Sequence, residues 1–270
     1  MIGSSPDSIV DLSVTVSEHL PSTWPDHMPF AHKNWSWFDE AELPTGASCC
    51  SLGPYVTHFM ILDEHAGTHV DAPTHFIPPQ GSGLPGAGPL GDVSADKLDL
   101  SKLMGDATVV DLRHLDGQAE PGVSPPITAV HLEAWEEEHG RFQRDEIVLL
   151  WTGWSRHYAT GEAGKAFVYE PVVVKSRPAW PAPEAGAAIF LHERGVTTVG
   201  IDAPSMGSAE EGIEVHKEGL GREMLFVEML TNLDRLPPRG ASFIFLPVKI
   251  AVASGGPGRA IALLPDSGTG

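Results

Sequence analysis

A chain of 270 residues is long enough for one α/β or β-rich domain with a sizeable core. Its 36 acidic side chains against 17 basic ones give a net charge of −19, which argues against nucleic acid and anionic membrane as partners. The two cysteines, Cys49 and Cys50, are adjacent and make no secreted disulfide framework; the chain opens on no charged-then-apolar leader, and no apolar run approaches the ~18 residues of a membrane span, so the sequence reads as a cytoplasmic protein with reduced thiols.

In chain order, Ile9 to Val16 reads as a strand. Leu20 to Phe38 is rich in Pro, Trp and His and has poor periodicity, so it reads as a loop. Trp24, Trp35 and Trp37 lie in it, either pinning that loop to the surface or forming an aromatic wall of a ligand pocket. Tyr55 to Leu62 reads as a strand carrying a structural His58 and feeding the stretch that follows.

That stretch, His65 to His75, holds His65, His69, Asp71 and His75, all at odd positions. On extended chain, alternate residues share a face, and imidazole and carboxylate are common ligands of zinc, manganese and iron. A straight strand would hold His65 and His69 roughly 13 Å apart at about 3.3 Å per residue, so the chain must bend between them, and Gly67 can supply the bend. His69 and Asp71 can converge on one metal, while Pro73 turns the chain and re-aims His75, with the aromatic Phe76 beside it.

Pro78 to Pro89 must be loop, and Leu98 to Leu103 a short helix or turn. Ala107 to Leu112 reads as a buried strand, Thr128 to His139 as a helix capped by Thr128, and Glu146 to Thr152 as a central strand. Pro183 to Glu193 reads as a helix stopped by Gly195, and Val196 to Asp202 as the next strand. This alternation predicts an α/β fold. Asp202 and Ser205 lie just past a strand's carboxyl end, where side chains that support a site often sit. Glu214 to Gly221 reads as turn-rich and Met224 to Glu228 as a strand, with Gly219 and Gly221 breaking the chain so that Glu228 returns toward His216. Thr231 to Leu236 reads as a helical turn. Ser242 to Pro247 and Arg259 to Leu264 read as closing strands, with Ser254 to Gly258 as the turn between them. Neither an internal repeat nor an interdomain linker is visible, so residues 1–270 read as one domain.

The zinc-helix pattern H-E-x-x-H and a Gly-x-Ser-x-Gly elbow are absent from the sequence, and no G-x-G-x-x-G follows a strand, so no dinucleotide site is read. The pattern present, His65-x-Gly-Thr-His69-x-Asp71-x-Pro73-x-His75, resembles the signature of the cyclase-like metal-dependent hydrolases, the family of bacterial kynurenine formamidase and isatin hydrolase. Trp24-Pro25, Thr152-Gly153-Trp154-Ser155, Gly200-Ile201-Asp202, the run from His216 to Glu228 with Leu230-Thr231-Asn232-Leu233, Leu246-Pro247-Val248-Lys249 and Gly256-Pro257-Gly258-Arg259 extend the likeness over nearly the whole chain.

The resemblance implies a swivelling β/β/α fold with mixed sheets and flanking helices, a homo-oligomer (dimer or tetramer), and one or two Zn²⁺ or Mn²⁺ ions per subunit. His65, His69 and Asp71 would bind the first ion, and Asp71 could bridge to a second held by His216 and Glu228. His75 would be the acid/base, and Trp24 would lie against a small-molecule substrate. The expected chemistry is hydrolysis of an amide, cyclic amide or lactone-type ester of a small aromatic or cyclic compound through a metal-activated water. Asp26-His27 replaces the formamidases' Gly-Asp, and the stretch from Trp24 to His65 is longer than theirs, which points toward the isatin hydrolase branch. A cupin-type oxygenase or isomerase and a non-catalytic metal-binding or ligand-binding protein are the alternative readings.

Overall fold

The computed structural model describes residues 8–36 and 55–265. Trp37, Phe38, Cys49 and Cys50 lie outside these residues, so the expectations placed on them are not addressed by the structure.

The elements run β1 (Ile9–Asp11), β2 (Ala31–Ser36), β3 (Thr57–Ile61), β4 (His69–Asp71), β5 (Met104–Asp111), β6 (Pro126–Ile127), α1 (Ala129–His139), β7 (Ile147–Trp151), α2 (Gly161–Gly164), β8 (Ala182–Pro183), α3 (Ala185–Glu193), β9 (Thr198–Ile201), α4 (Ile213–Leu220), β10 (Leu225–Glu228), β11 (Arg239–Pro247) and β12 (Gly255–Leu263). One mixed sheet has the order β1-β12-β11-β5-β7-β9-β10-β4, and a further β12–β4 pairing closes it into a ring. The neighbours β5, β7, β9 and β10 are parallel, while β11, β12 and β4 pair antiparallel. The mixed α/β class therefore agrees with the sequence reading.

Strand alternation splits the apolar residues between two cores. Ile147, Leu149, Leu225, Val227 and Val70 face the inside of the ring with Phe243 and Phe245. Val148, Leu150, Val199, Ile201 and Phe226 face outward, against Leu191 of α3 and Val215 of α4. The ring interior is tight at Gly200, where a Cβ would stand 2.6 Å from a Leu230 methyl carbon and 2.8 Å from one of Leu149. Val70 pointing inward sends its neighbours His69 and Asp71 outward, toward the helices.

Four elements differ from the sequence reading. The first strand is only three residues long; beyond it the chain keeps a single bridge, Ser13 to Leu230. Residues 31–36, read as loop, form β2, which pairs with β3 in a separate two-stranded ribbon. Residues 31–35 are mostly exposed and carry no alternating apolar pattern, so the sequence does not mark this strand. Residues 214–220, read as turn-rich, belong to helix α4, which runs through Gly219 without a break. Tertiary packing decides this: a Cβ at Gly219 would lie 2.2 Å from Cζ of Phe226, so the glycine allows close approach of α4 to β10. The Gly-Gly-Pro run from 255, read as a turn, begins β12, because Gly255, Gly256 and Pro257 pair with Asp71, Val70 and His69. Helices α1 and α3 agree with the sequence reading. Thr128 caps α1, its backbone N–H donating to His131 Nδ1 at 3.0 Å, and Gly195 follows α3 with φ of 88°.

Candidate metal centre and cavity

The site is built around β4, which pairs with β10 on one side and β12 on the other. The register sets Glu228 opposite His69, and directly paired side chains of an antiparallel pair share a face. His69 Nε2 lies 3.4 Å from Glu228 Oε2 and 3.5 Å from Asp71 Oδ1. Gly67 supplies the expected bend, with φ of 63°, and a Cβ there would strike Val16 Cγ2 at 2.5 Å. The bend brings His65 Nδ1 to 3.0 Å from Asp71 Oδ1. From α4, His216 sets Nε2 3.5 Å from Asp71 Oδ2 and 3.3 Å from Glu228 Oε1.

Ligand-type atoms of His65, His69 and Asp71 lie within 4.8 Å of one another, and those of Asp71, His216 and Glu228 do the same. Asp71 is common to both trios and sits between them. Its Oδ2 is buried and has no well-formed hydrogen bond among the described residues, with His216 Nε2 standing 3.5 Å away. A buried carboxylate oxygen left in this way is costly, and a cation between the trios satisfies it. The donor set of imidazole and carboxylate without thiolate suits a borderline or hard divalent ion. The residues therefore fit a metal, with Asp71 placed to bridge two.

The outer nitrogens of these rings are occupied too. His69 Nδ1 meets Gly67 O at 2.8 Å, and His216 Nδ1 meets Gly212 O. Each ring thus spends its Nδ1–H on a carbonyl and turns Nε2 inward, the usual arrangement behind metal-binding histidines. The carboxylates dominate the electrostatics. Burial opposes charge on His69 and His216, but hydrogen bonding to Asp71 and Glu228 overrides it and raises both to about 10 in the metal-free protein. Burial also works against charge on Asp71, yet His75, His216, His65 and His69 hold it well below the usual carboxylate range. Glu228 is lowered as well: burial and Asp71 push it up, and His216 and His69 outweigh them.

His75 sits beside this cluster on the short turn Pro73–His75, stacked on His65 with ring centroids 4.0 Å apart. Burial pushes it down to about 4, against the pull of the Asp71 charge, so its ring is neutral near pH 7. Phe76 stacks on His216 at 4.3 Å. Both open onto a cavity of about 360 Å³, which Trp24, His27, Ser205 and Met229 also line. Trp24 is fixed edge-on to Trp180 at 6.1 Å.

Asp202 is buried behind the cavity, where it accepts hydrogen bonds from Thr152 N at 2.8 Å and Thr152 Oγ1 at 2.6 Å. Burial raises its pKa, although these bonds pull the other way. It ties the turn after β7 to the loop after β9, and that loop returns Met206 N–H to Glu228 Oε1. Ser205 Oγ accepts from Gly207 N at 3.0 Å.

Trp35 lies on β2, 53% exposed and edge-on to Phe59, and is not among the described residues that line the cavity. Four residues escaped the sequence reading. His27 lines the cavity with Nδ1 3.2 Å from Asp63 Oδ1, and Asp63 Oδ1 also accepts from His65 N at 2.8 Å. Glu64 and Ser254 stand behind His65. The acidic pair directly before His65 was the available signal for Asp63 and Glu64. Nothing in the sequence pointed to Ser254, whose partner lies 190 positions away.

The chain is similar in sequence and fold to known proteins. The cyclase family model matches residues 10–208. An isatin hydrolase of Roseibium aggregatum is 34% identical over 224 residues, covering 80% of this chain and 78% of that protein. A kynurenine formamidase of Bacillus cereus is 26% identical over 263 residues, covering 93% and 95% respectively. Among solved structures, an isatin hydrolase bound to the product analogue thioisatinate superposes with a TM-score of 0.77 at 26% identity, over 96% of this chain and 92% of that one. Isatin hydrolase A from Ralstonia solanacearum gives 0.72 at 28% identity, over 95% and 91%. With a matching family model over most of its length and a relative of this identity, the chain belongs to the cyclase family.

Proposed function

We propose that this protein is a metal-dependent hydrolase that opens an amide C–N bond of a small, uncharged aromatic substrate, with a cyclic amide of the isatin type as the best fit. The observation that carries this reading is the meeting of two His and carboxylate trios on Asp71, beside a neutral imidazole at the edge of an aromatic-lined cavity. His65, His69 and Asp71 would hold one ion and Asp71, His216 and Glu228 a second, Zn²⁺ or Mn²⁺. A bound ion supplies polarisation of the amide carbonyl and acidification of water.

The protein's own groups do the rest. His75 is neutral, is stacked close to the ligand cluster, and has the ring nitrogen needed to take a proton and return it to the leaving nitrogen. Trp24 and Phe76 offer flat apolar surface to an aromatic ring. Asp202 and Ser205 hold the loop whose Met206 N–H fixes Glu228.

The charge of the lining supports the choice of substrate. No Lys or Arg is among the described residues that line the cavity, and the segments 1–7, 37–54 and 266–270 contain neither residue. Glu210 and Glu211 add negative charge at its exposed side. An amino-acid carboxylate such as that of formylkynurenine finds no Lys or Arg in this lining to pair with, whereas a neutral lactam requires none.

The experiment is to strip the metal, reload with Zn²⁺ or Mn²⁺ under anaerobic conditions, and assay isatin beside N-formylkynurenine. Metal-dependent turnover favouring isatin is expected; a full metal site without turnover on any amide would refute the reading. His75→Ala should lower kcat by roughly 10²–10⁴-fold with metal content retained. Wild-type kcat in that variant would remove the proton-carrying role.

A further inference from the structure

We infer that Glu64 and Ser254 form a positioning relay that fixes which nitrogen of His65 is offered to the metal. The inference rests on the metal-dependent reading above and adds two residues to it.

His65 differs from the other two ligand histidines. His69 and His216 turn Nε2 inward and have Nδ1 held by backbone carbonyls. His65 turns Nδ1 inward, 3.0 Å from Asp71 Oδ1, and its outer Nε2 meets a side chain instead, Ser254 Oγ at 3.0 Å. Ser254 Oγ in turn donates to Glu64 Oε2 at 2.8 Å, and Ser254 N donates to the same oxygen at 2.6 Å.

Proton counting decides the direction. A hydroxyl has one proton, and a carboxylate only accepts. Once Ser254 gives its proton to Glu64, its oxygen can only accept from His65, so Nε2 carries the hydrogen. In the neutral ring that a metal ligand must be, Nδ1 is then left with its lone pair facing Asp71. Two electron-rich atoms at 3.0 Å repel unless a cation lies between them, so the relay prepares the His65 side of the site for a metal.

The ring has no freedom to escape this choice. It lies against Gly255, where a Cβ would stand 2.5 Å from His65 Cε1, and His75 stacks on it. Ser254 is itself anchored, its carbonyl accepting from Ala72 N at 2.9 Å. The relay reaches only one of the two trios. Among the described residues no hydrogen bond links Ser254 to Asp71, His216 or Glu228, so the effect centres on the ion that uses His65.

The test is chelator-competed Zn²⁺ titration of the metal-free protein, with stoichiometry, beside long-range ¹H–¹⁵N spectra of the Zn²⁺-loaded form. In the wild type, His65 should show Nε2–H and a ligated Nδ1. Ser254→Ala should weaken the ion at His65 by about 10–100-fold and leave the other unchanged. Ser254→Thr, which keeps the hydroxyl, should restore affinity, and Glu64→Gln should fall between. The relay is overturned if Ser254→Ala binds the His65 ion as tightly as wild type. It is equally overturned if both ions weaken together with the Tm of the metal-free protein, which is the behaviour of a loop brace. If the wild type takes up no ion, the metal-dependent reading fails first and the relay with it.

Discussion

Replacing Gly219 by alanine places a methyl carbon 2.2 Å from Cζ of Phe226 and 2.9 and 3.0 Å from its two Cε atoms. Carbon–carbon contacts settle near ~3.5–4.0 Å, so α4 and β10 must part by more than about 1 Å, or the Phe226 ring must turn. Phe226 touches His216, with ring centroids 5.7 Å apart, so either response moves His216 Nε2 away from Asp71 and Glu228. Overpacking of this kind costs about 1–3 kcal/mol, and the better helix propensity of alanine returns about 1 kcal/mol. The net loss of roughly 0–2 kcal/mol lowers Tm by only a few degrees in a chain of this size. Activity should suffer far more, since a misplacement of about 1 Å at a catalytic constellation can cost ~10²-fold. The assay is kcat/KM with metal content and Tm measured on the same samples. Phe226→Leu, added to Gly219→Ala, should recover part of the lost activity, giving the coupling of about 0.5–3 kcal/mol expected of residues in contact. Wild-type kcat/KM and metal content in Gly219→Ala, or a double variant no better than the single one, would refute the argument.

Metal binding near pH 7 should release about two protons, because His69 and His216 are charged in the metal-free protein and must be neutral as ligands; calorimetry in buffers of different ionisation enthalpy measures this. The same shifts give a stability prediction. Both histidines are raised above their unfolded value, so their contribution is complete below about pH 6.5 and is lost as pH rises through about 10. The Tm of the metal-free protein should fall over that window. Asp202→Ala strands the Thr152 N–H and hydroxyl and should destabilise by about 1–3 kcal/mol per stranded donor; denaturant unfolding reads it, and Asp202→Asn should be milder. Trp35→Ala should leave kcat/KM unchanged, since Trp35 is exposed and apart from its own cavity. A large drop would mean that the β2–β3 ribbon reaches a site in another copy of the chain.

The histidine stretch was legible because its information is local. Four ligand-type side chains, one glycine bend and one proline turn fall within eleven residues, and the bend at Gly67 follows from strand geometry alone. The parallel strands β7 and β9 and helices α1 and α3 were legible for a similar reason: continuous apolar runs and capping residues mark them without help from the rest of the chain. What was not legible depends on distant partners. Gly219 looked like a helix breaker because propensity does not know that Phe226 will press against it. The 255–257 run looked like a turn because its pairing with β4 is invisible in composition. Ser254 and Trp35 are opposite cases of one limit: a serine among glycines stands behind His65, and a tryptophan among aromatic neighbours is not among the described residues of the cavity lining.

The short strand β4 also has a consequence for how the protein folds. It is the seam of the ring, joined to β10 and β12 at once. Val70 must find Gly256, most of the chain away, and closing a loop of that length costs about 4–5 kcal/mol of chain entropy on a (3/2)RT ln n estimate. Contacts of such high order form late. The His and carboxylate cluster therefore comes into being only as the ring shuts, and an ion held across it would act as a rivet on that seam. Catalytic competence and topological completion then arrive together: a nascent or C-terminally truncated chain, however well its parallel strands have formed, has neither.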